Sequence, residues 1–144
     1  VERGADDASP AAHDLDKEHP MVSTTNAFSS FSVNDLDAAR AFYADVVGVE
    51  VDQTPMGLDL HLGSGGHVFV YPKTNHVAAS FTVLNFGVDD VDAAVDELVA
   101  KGVEFERYVG FDQDAKGIAR GPEGPAIAWF KDPARNVLAI LSNP

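Results

Sequence analysis

From Thr25 onward the apolar positions change period in a regular way. Between Asn26 and Val33 they alternate, with Phe31 and Val33 on one side and Phe28, Ser30 and Ser32 on the other, as a strand requires. Asn34 is suited to cap a following helix, and Asp37 places a carboxylate in its first turn. Leu36, Ala39, Tyr43 and Val46 then recur at helical spacing and form the stripe to be buried. Gly48 stands where a helix ends in the left-handed conformation. Val49 to Asp52, Leu58 to Leu62 and His67 to Tyr71 read as strands, with Gly63-Ser64-Gly65-Gly66 as the turn between the last two.

The pattern is then written again. Val33-Asn34-Asp35-Leu36-Asp37-Ala38-Ala39 matches Val88-Asp89-Asp90-Val91-Asp92-Ala93-Ala94 at an offset of 55, and Gly48-Val49-Glu50-Val51 matches Gly102-Val103-Glu104-Phe105 at 54. The second helix is expected to be capped by Asp89, to bury Val91, Ala94, Val95 and Leu98, and to end at Gly102. Strands are expected at Val103 to Tyr108, Ala126 to Lys131 and Val137 to Leu141. The duplication predicts one α+β domain over 25–144, made of two βαβββ units at about 25–76 and 77–144. Between the first two strands that follow the second helix, Gly110 to Gly124 is rich in Gly, Asp and Pro, and reads equally as a cavity lid or as irregular surface.

Residues 1–24 have another character. Ala, Asp, Glu, Pro10 and Pro20 dominate and large apolar side chains are nearly missing, so ordering this stretch would not be offset by burial. It is expected to be a flexible acidic extension. Over the whole chain, 10 basic against 23 acidic side chains give a net charge of −13. Phosphate backbones and anionic membranes attract basic surfaces, so nucleic acid and membrane are poor partners for this chain. No apolar run approaches the roughly 20 residues of a membrane span. The absence of cysteine removes disulfides and thiolate chemistry, and fits a cytoplasmic protein.

The repeat, together with Val-Asn-Asp-Leu-Asp-Ala-Ala-Arg-Ala-Phe-Tyr at 33–43 and Trp-Phe-Lys-Asp-Pro-Ala-Arg-Asn-Val-Leu at 129–138, resembles the vicinal oxygen chelate superfamily, which includes glyoxalase I, extradiol dioxygenases, fosfomycin-modifying enzymes and bleomycin-resistance proteins. That resemblance implies a cupped, mostly antiparallel mixed sheet, and a homodimer. In metal-dependent members, His, Gln or Glu on the first and last strands of each unit hold a divalent cation. The matching first-strand positions, five before Val33 and five before Val88, are Phe28 and Val83. The matching last-strand position, seven after Asp132, is Ala139, and the alignment gives Val70 for the first unit. None of these side chains coordinates a cation. His61 and His67, on adjacent strands, are the weak alternative, because two ligands without a third make no good site. The turn after Asp132-Pro133 departs from the family's Asp-Gly pair, and Asn136 is the residue expected to accept a positive φ. Ser29, Ser30 and Ser32 show no base held beside them and read as ordinary strand residues.

If the strand parity holds, Phe28, Ser30, Ser32, Val68, Val70, Phe81, Val83, Asn85, Ala139 and Leu141 line the cup, and Trp129 or Phe130 adds an aromatic platform. An apolar wall with a few polar groups suits a small organic ligand. The expectation is a protein without metal or other cofactor that sequesters an aromatic or cationic compound, with acidic rim candidates at Asp59, Asp112 and Asp114; the apolar ligand positions lean against catalysis without deciding it. A metal-dependent lyase or dioxygenase with displaced ligands, and a dimeric interaction module without ligand, are the alternatives.

Overall fold

The computed structural model describes residues 21–122 and 124–143, so most of the expected acidic extension lies outside the described residues. The first unit runs β1 (Ser29–Val33), α1 (Leu36–Ala41) continuing in wider π-type turns over Phe42–Val47, β2 (Glu50–Thr54), β3 (Gly57–His61) and β4 (His67–Pro72). The second runs β5 (Thr82–Val88), α2 (Val91–Ala100), β6 (Ile127–Lys131) and β7 (Val137–Ser142). Their sheets have the orders β1-β4-β3-β2 and β5-β7-β6. Within each sheet the unit's first and last strands pair parallel and the other pairs are antiparallel. This is the mixed α+β architecture that the duplication predicts.

Each helix begins one residue later than expected. Asp35 and Asp90, not Asn34 and Asp89, hold the extended cap conformation and accept from Ala38 N (3.1 Å) and Ala93 N (3.0 Å). A carboxylate there also meets the positive end of the helix dipole. Gly48 ends the first helix at φ 88°, as its position predicts. The helices and the helix-facing sides of both sheets share one core, in which Val33, Tyr43, Leu60, Val95, Phe130 and Leu138 are buried.

A buried polar clamp joins the units. The Tyr43 hydroxyl donates to Asp132 Oδ2 at 2.8 Å, and Asn136 donates from its backbone N to Oδ1 at 2.8 Å and from Nδ2 to Oδ2 at 3.1 Å. Asn136 Nδ2 also donates to the Ser32 carbonyl at 2.9 Å, tying the β6–β7 turn to β1. Asp132 is only 2% exposed, yet both carboxylate oxygens are satisfied by neutral donors. Burial, and then the neighbouring Asp132 carboxylate, push the Tyr43 phenol far above its usual range, so it remains a donor. Within this turn Arg135, not Asn136, takes the positive φ (72°), because the Asn136 side chain and backbone N–H are committed to Asp132 and β1.

The strand expected at Val103 to Tyr108 is not formed. One ladder bond exists, from Glu106 N to Trp129 O at 2.8 Å. The Gln113 side chain takes two further groups of the segment: Nε2 donates to Glu106 O, and also to Gly117 O, and Oε1 accepts from Tyr108 N, each at 2.8 Å. A side-chain amide thereby does the work of a neighbouring strand, and the second sheet has three strands instead of four.

Candidate ligand cup

The faces of the sheets turned away from the helices carry the candidate site. Cα partners in register share a face, so β1 and β4 place Ser30 beside Phe69 and Ser32 beside Tyr71. Phe31 and Val70 pair on the opposite, helix-packed face. Val68 and Val70 are thus core residues, 4% and 0% exposed, and not cup lining as expected. The position in the first unit that corresponds to Ala139 is Phe69: Ala139 is the register partner of Asn85, which is the counterpart of Ser30 at the offset of 55. A one-residue slip in reading β4 reverses every side chain on it.

The first unit's cup face is aromatic and acidic. Phe28, 57% exposed, stacks on His67 with ring centroids 4.7 Å apart, and Phe69 stacks on Tyr71 at 6.1 Å. Asp59 lies in register between Asp52 and Phe69, so its carboxylate shares the face with these rings. His61 and His67 do face one another across the β3–β4 hairpin, but His61 Nε2 sits 2.7 Å from Asp52 Oδ2 and His67 is occupied by the Phe28 ring. Among the described residues no group of three or more His, Cys, Asp or Glu could hold a metal ion. Phe28, Val83, Ala139 and Phe69 offer no donor at the superfamily's ligand positions, so the residues present do not fit a resident cation.

The second unit's cup face is greasier. Asn85, Ala139 and Trp129 lie in one register row, with Leu141 and Ile127 in the next row on the same face. Tyr108 and Phe111 pack against Trp129 at centroid distances of 5.4 and 4.9 Å, and with Phe81 and Val137 they bound a cavity of about 320 Å³. Phe130, the other expected platform, is on the core side and fully buried. A second cavity, of about 380 Å³, lies between β1 and the connector into β5; Ser30, Ser32, Tyr71, Phe81 and Val83 line it. Of the expected lining residues, Ser30, Ser32, Phe81, Val83 and Trp129 fall in these two neighbouring hollows, which share Phe81; Asn85, Ala139 and Leu141 line neither, Ala139 being fully buried, and Phe28 stands apart, exposed just before β1.

The Gly110 to Gly124 stretch borders the Trp129 hollow and is tethered. Ile118 is fully buried, and Asp114 Oδ1 accepts from Lys116 N (2.9 Å) and Ile118 N (3.0 Å). Arg120 bridges Asp114 and Asp92 at 3.3 and 2.7 Å, and Lys116 reaches Asp96 at 3.0 Å, fastening the loop to α2. The Arg120 bond holds the Asp92 carboxyl below its usual range. At Asp114 partial burial opposes ionisation, but the two backbone N–H groups and Arg120 prevail and its acidity rises too. Asp114 is therefore engaged within the loop rather than presented as a rim charge.

One contact had no sequence signal. Ser32 Oγ lies 2.6 Å from Nδ1 of His76, a connector residue 44 positions away, which corrects the reading that no base stands near these serines. No local spacing could have paired them; the approach of the connector to β1 does.

Comparison with known proteins agrees with this geometry. The Glyoxalase/Bleomycin resistance protein/Dioxygenase superfamily matches over residues 26–140, and the chain belongs to that superfamily. Among solved structures, the genomically encoded fosfomycin resistance protein FosX from Listeria monocytogenes superposes with a TM-score of 0.65 at 15% identity, over 86% of this chain and 96% of that one. The antibiotic binding protein TnmS3 from Streptomyces sp. CB03234 gives 0.63 at 22% identity, over 88% of this chain and 100% of that one. Lactoylglutathione lyase from Agrobacterium tumefaciens gives 0.62 at 21%, over 85% and 96%. At these identities the likeness is one of fold. A comparison with curated proteins gives no match.

Proposed function

We propose that this chain is a metal-independent binding protein that sequesters a small cationic aromatic compound in its cup. The family resemblance supports the reading: it implies oxygen or nitrogen donors in metal-dependent relatives at the positions that Phe28, Val83, Ala139 and Phe69 occupy here. In place of a cation site, the cup faces offer rings for stacking and the Asp59 and Asp52 carboxylates for a positive charge. Phe28, Ser30, Val83, Asn85, Trp129 and Leu141 are the proposed contacts, now joined by Phe69 and Tyr71, while Ala139 is fully buried and only backs the face. The likeness to TnmS3, described as an antibiotic binding protein, supports the ligand class. A homodimer completes the proposal. β1 and β5 are edge strands, and Phe28, Phe81 and Val77 are exposed on or beside them, so a second copy pairing there would close the hollows. The cysteine-free composition goes with a cytoplasmic location, which cell fractionation checks.

The test is a melting-temperature titration of chelator-treated protein with a panel of cationic aromatic antibiotics, paired with sedimentation of the same samples. A ligand at a hundredfold its Kd stabilises by about 2.7 kcal/mol, a shift of several degrees. A dimer that binds without metal is expected. No shift anywhere in the panel at about 1 mM ligand rejects the binding reading, stabilisation only after a divalent cation is restored rejects metal independence, and monomer alone at micromolar concentration rejects the dimer.

A further inference from the structure

We propose that Ser32 and His76 form a nucleophile–base pair that accepts an acyl group from small esters with an apolar or aromatic acyl part, an activity beyond sequestration. The Ser32 Oγ to His76 Nδ1 distance of 2.6 Å is short for a hydroxyl–imidazole bond. His76 Nε2 lies 3.0 Å from the carbonyl oxygen of Ala134. A carbonyl only accepts, so in the neutral ring Nε2 carries the proton and Nδ1 is left with a lone pair. Ser32 must therefore donate, which is the arrangement a serine nucleophile requires: a base in contact, itself oriented by a third group. Ala134 belongs to the turn held by the buried Asp132–Asn136 bonds, so the orienting carbonyl stands on a rigid support.

Ser32 also faces space. It lines the cavity of about 380 Å³ with Ser30, Tyr71, Phe81 and Val83, room for a small acyl chain or ring. In the reaction, Ser32 Oγ adds to the ester carbonyl carbon while its proton passes to His76 Nδ1. The tetrahedral adduct collapses by breaking the bond to the alcohol oxygen, which leaves with that proton. Water then adds to the acyl–Ser32 carbon, gives a proton to Nδ1, and the same proton returns to Ser32 Oγ as the acid departs. Tyr71 is the register partner of Ser32 and lines the same cavity, which makes its phenol the side-chain donor the proposal assigns to the oxyanion.

The experiment incubates the purified protein with a fluorophosphonate, which phosphonylates activated serines, and separately with p-nitrophenyl butyrate, followed by intact mass and peptide mapping. One adduct per chain on the Ser32 peptide is expected, lost in Ser32→Ala and slowed about 100-fold or more in His76→Gln. No adduct, an adduct on another serine, or an undiminished rate in His76→Gln overturns the proposal. The chain has no cysteine, so Ser32→Cys introduces a single thiol and reads the pair even where another variant fails to fold. Its alkylation by iodoacetamide near pH 7 is expected to be about tenfold faster than in the Ser32→Cys/His76→Gln double variant. Equal rates with matching melting temperatures would show a structural link only and would overturn the proposal. Ligand titration of the unsubstituted protein runs in parallel: binding without acylation removes the nucleophile and leaves sequestration standing, and acylation without antibiotic binding does the reverse.

Discussion

The two repeats start from nearly the same sequence and end as different surfaces. Both begin with an edge strand, an aspartate-capped helix and a left-handed glycine, at Gly48 and Gly102. The first unit goes on to four strands and presents acids, hydroxyls and rings on its cup face. The second stops at three, and presents Trp129, Ala139 and Leu141. What survives in both is the set of positions that anchor helix to sheet. What diverges is the face turned away from the core, where no packing constraint holds the residues alike and ligand chemistry is set. The hairpins diverge too: Gly65 supplies the positive φ between β3 and β4 (97°), whereas Arg135 supplies it between β6 and β7 (72°).

The largest expected effect tests why the second unit lacks a strand. Gln113→Ala removes three hydrogen bonds to backbone, from which we expect about 2 kcal/mol lower stability in urea unfolding and faster amide exchange at Tyr108. If residues 103–108 instead gain exchange protection and stability is unchanged, a strand was waiting to form and Gln113 was not holding the segment in its place.

The hairpin contrast predicts a smaller change of opposite sign. Arg135→Gly relieves a left-handed L-residue and should stabilise by about 0.5–1 kcal/mol, even though glycine gains freedom in the unfolded chain. A drop in the urea midpoint would mean that the arginine side chain contributes more than its backbone costs.

The smallest effect concerns the loop, which the first unit has no counterpart for. Asp92 and Asp114 have folded-state pKa values below the ordinary 3.8, so their tethering is complete at neutral pH and is lost as the pH falls below that value. Trp129 is the single tryptophan and packs on Phe111 of this loop, so its fluorescence should shift on acidification before the global transition. Emission that stays constant until the whole domain unfolds would show that Ile118 burial, not the ion pairs, holds the loop.

Much of this was legible in the chain because it depends on local period. Ala39, Tyr43, Val91, Val95 and Leu98 announce their buried stripes by spacing alone. The cap position was missed by one residue, since Asn34 and Asp35 are both good caps and only the entry angle from β1 chooses. The parity of β4 was missed because His67 to Tyr71 is apolar on both faces, so alternation there carries no sign; the parallel register with β1 supplies it.

The sequence by itself determined the duplication, the helices and most of the strands. These are properties of residue type and of spacings shorter than a few turns. Tertiary structure alone decided that Gln113 would stand in for a strand, that Asp132 would bind Tyr43 across 89 positions, and that His76 would reach Ser32. The last two join polar groups far apart in the chain and the first a side chain to nearby backbone, and in every case a hydrogen bond needs angstrom placement that no period along a sequence encodes.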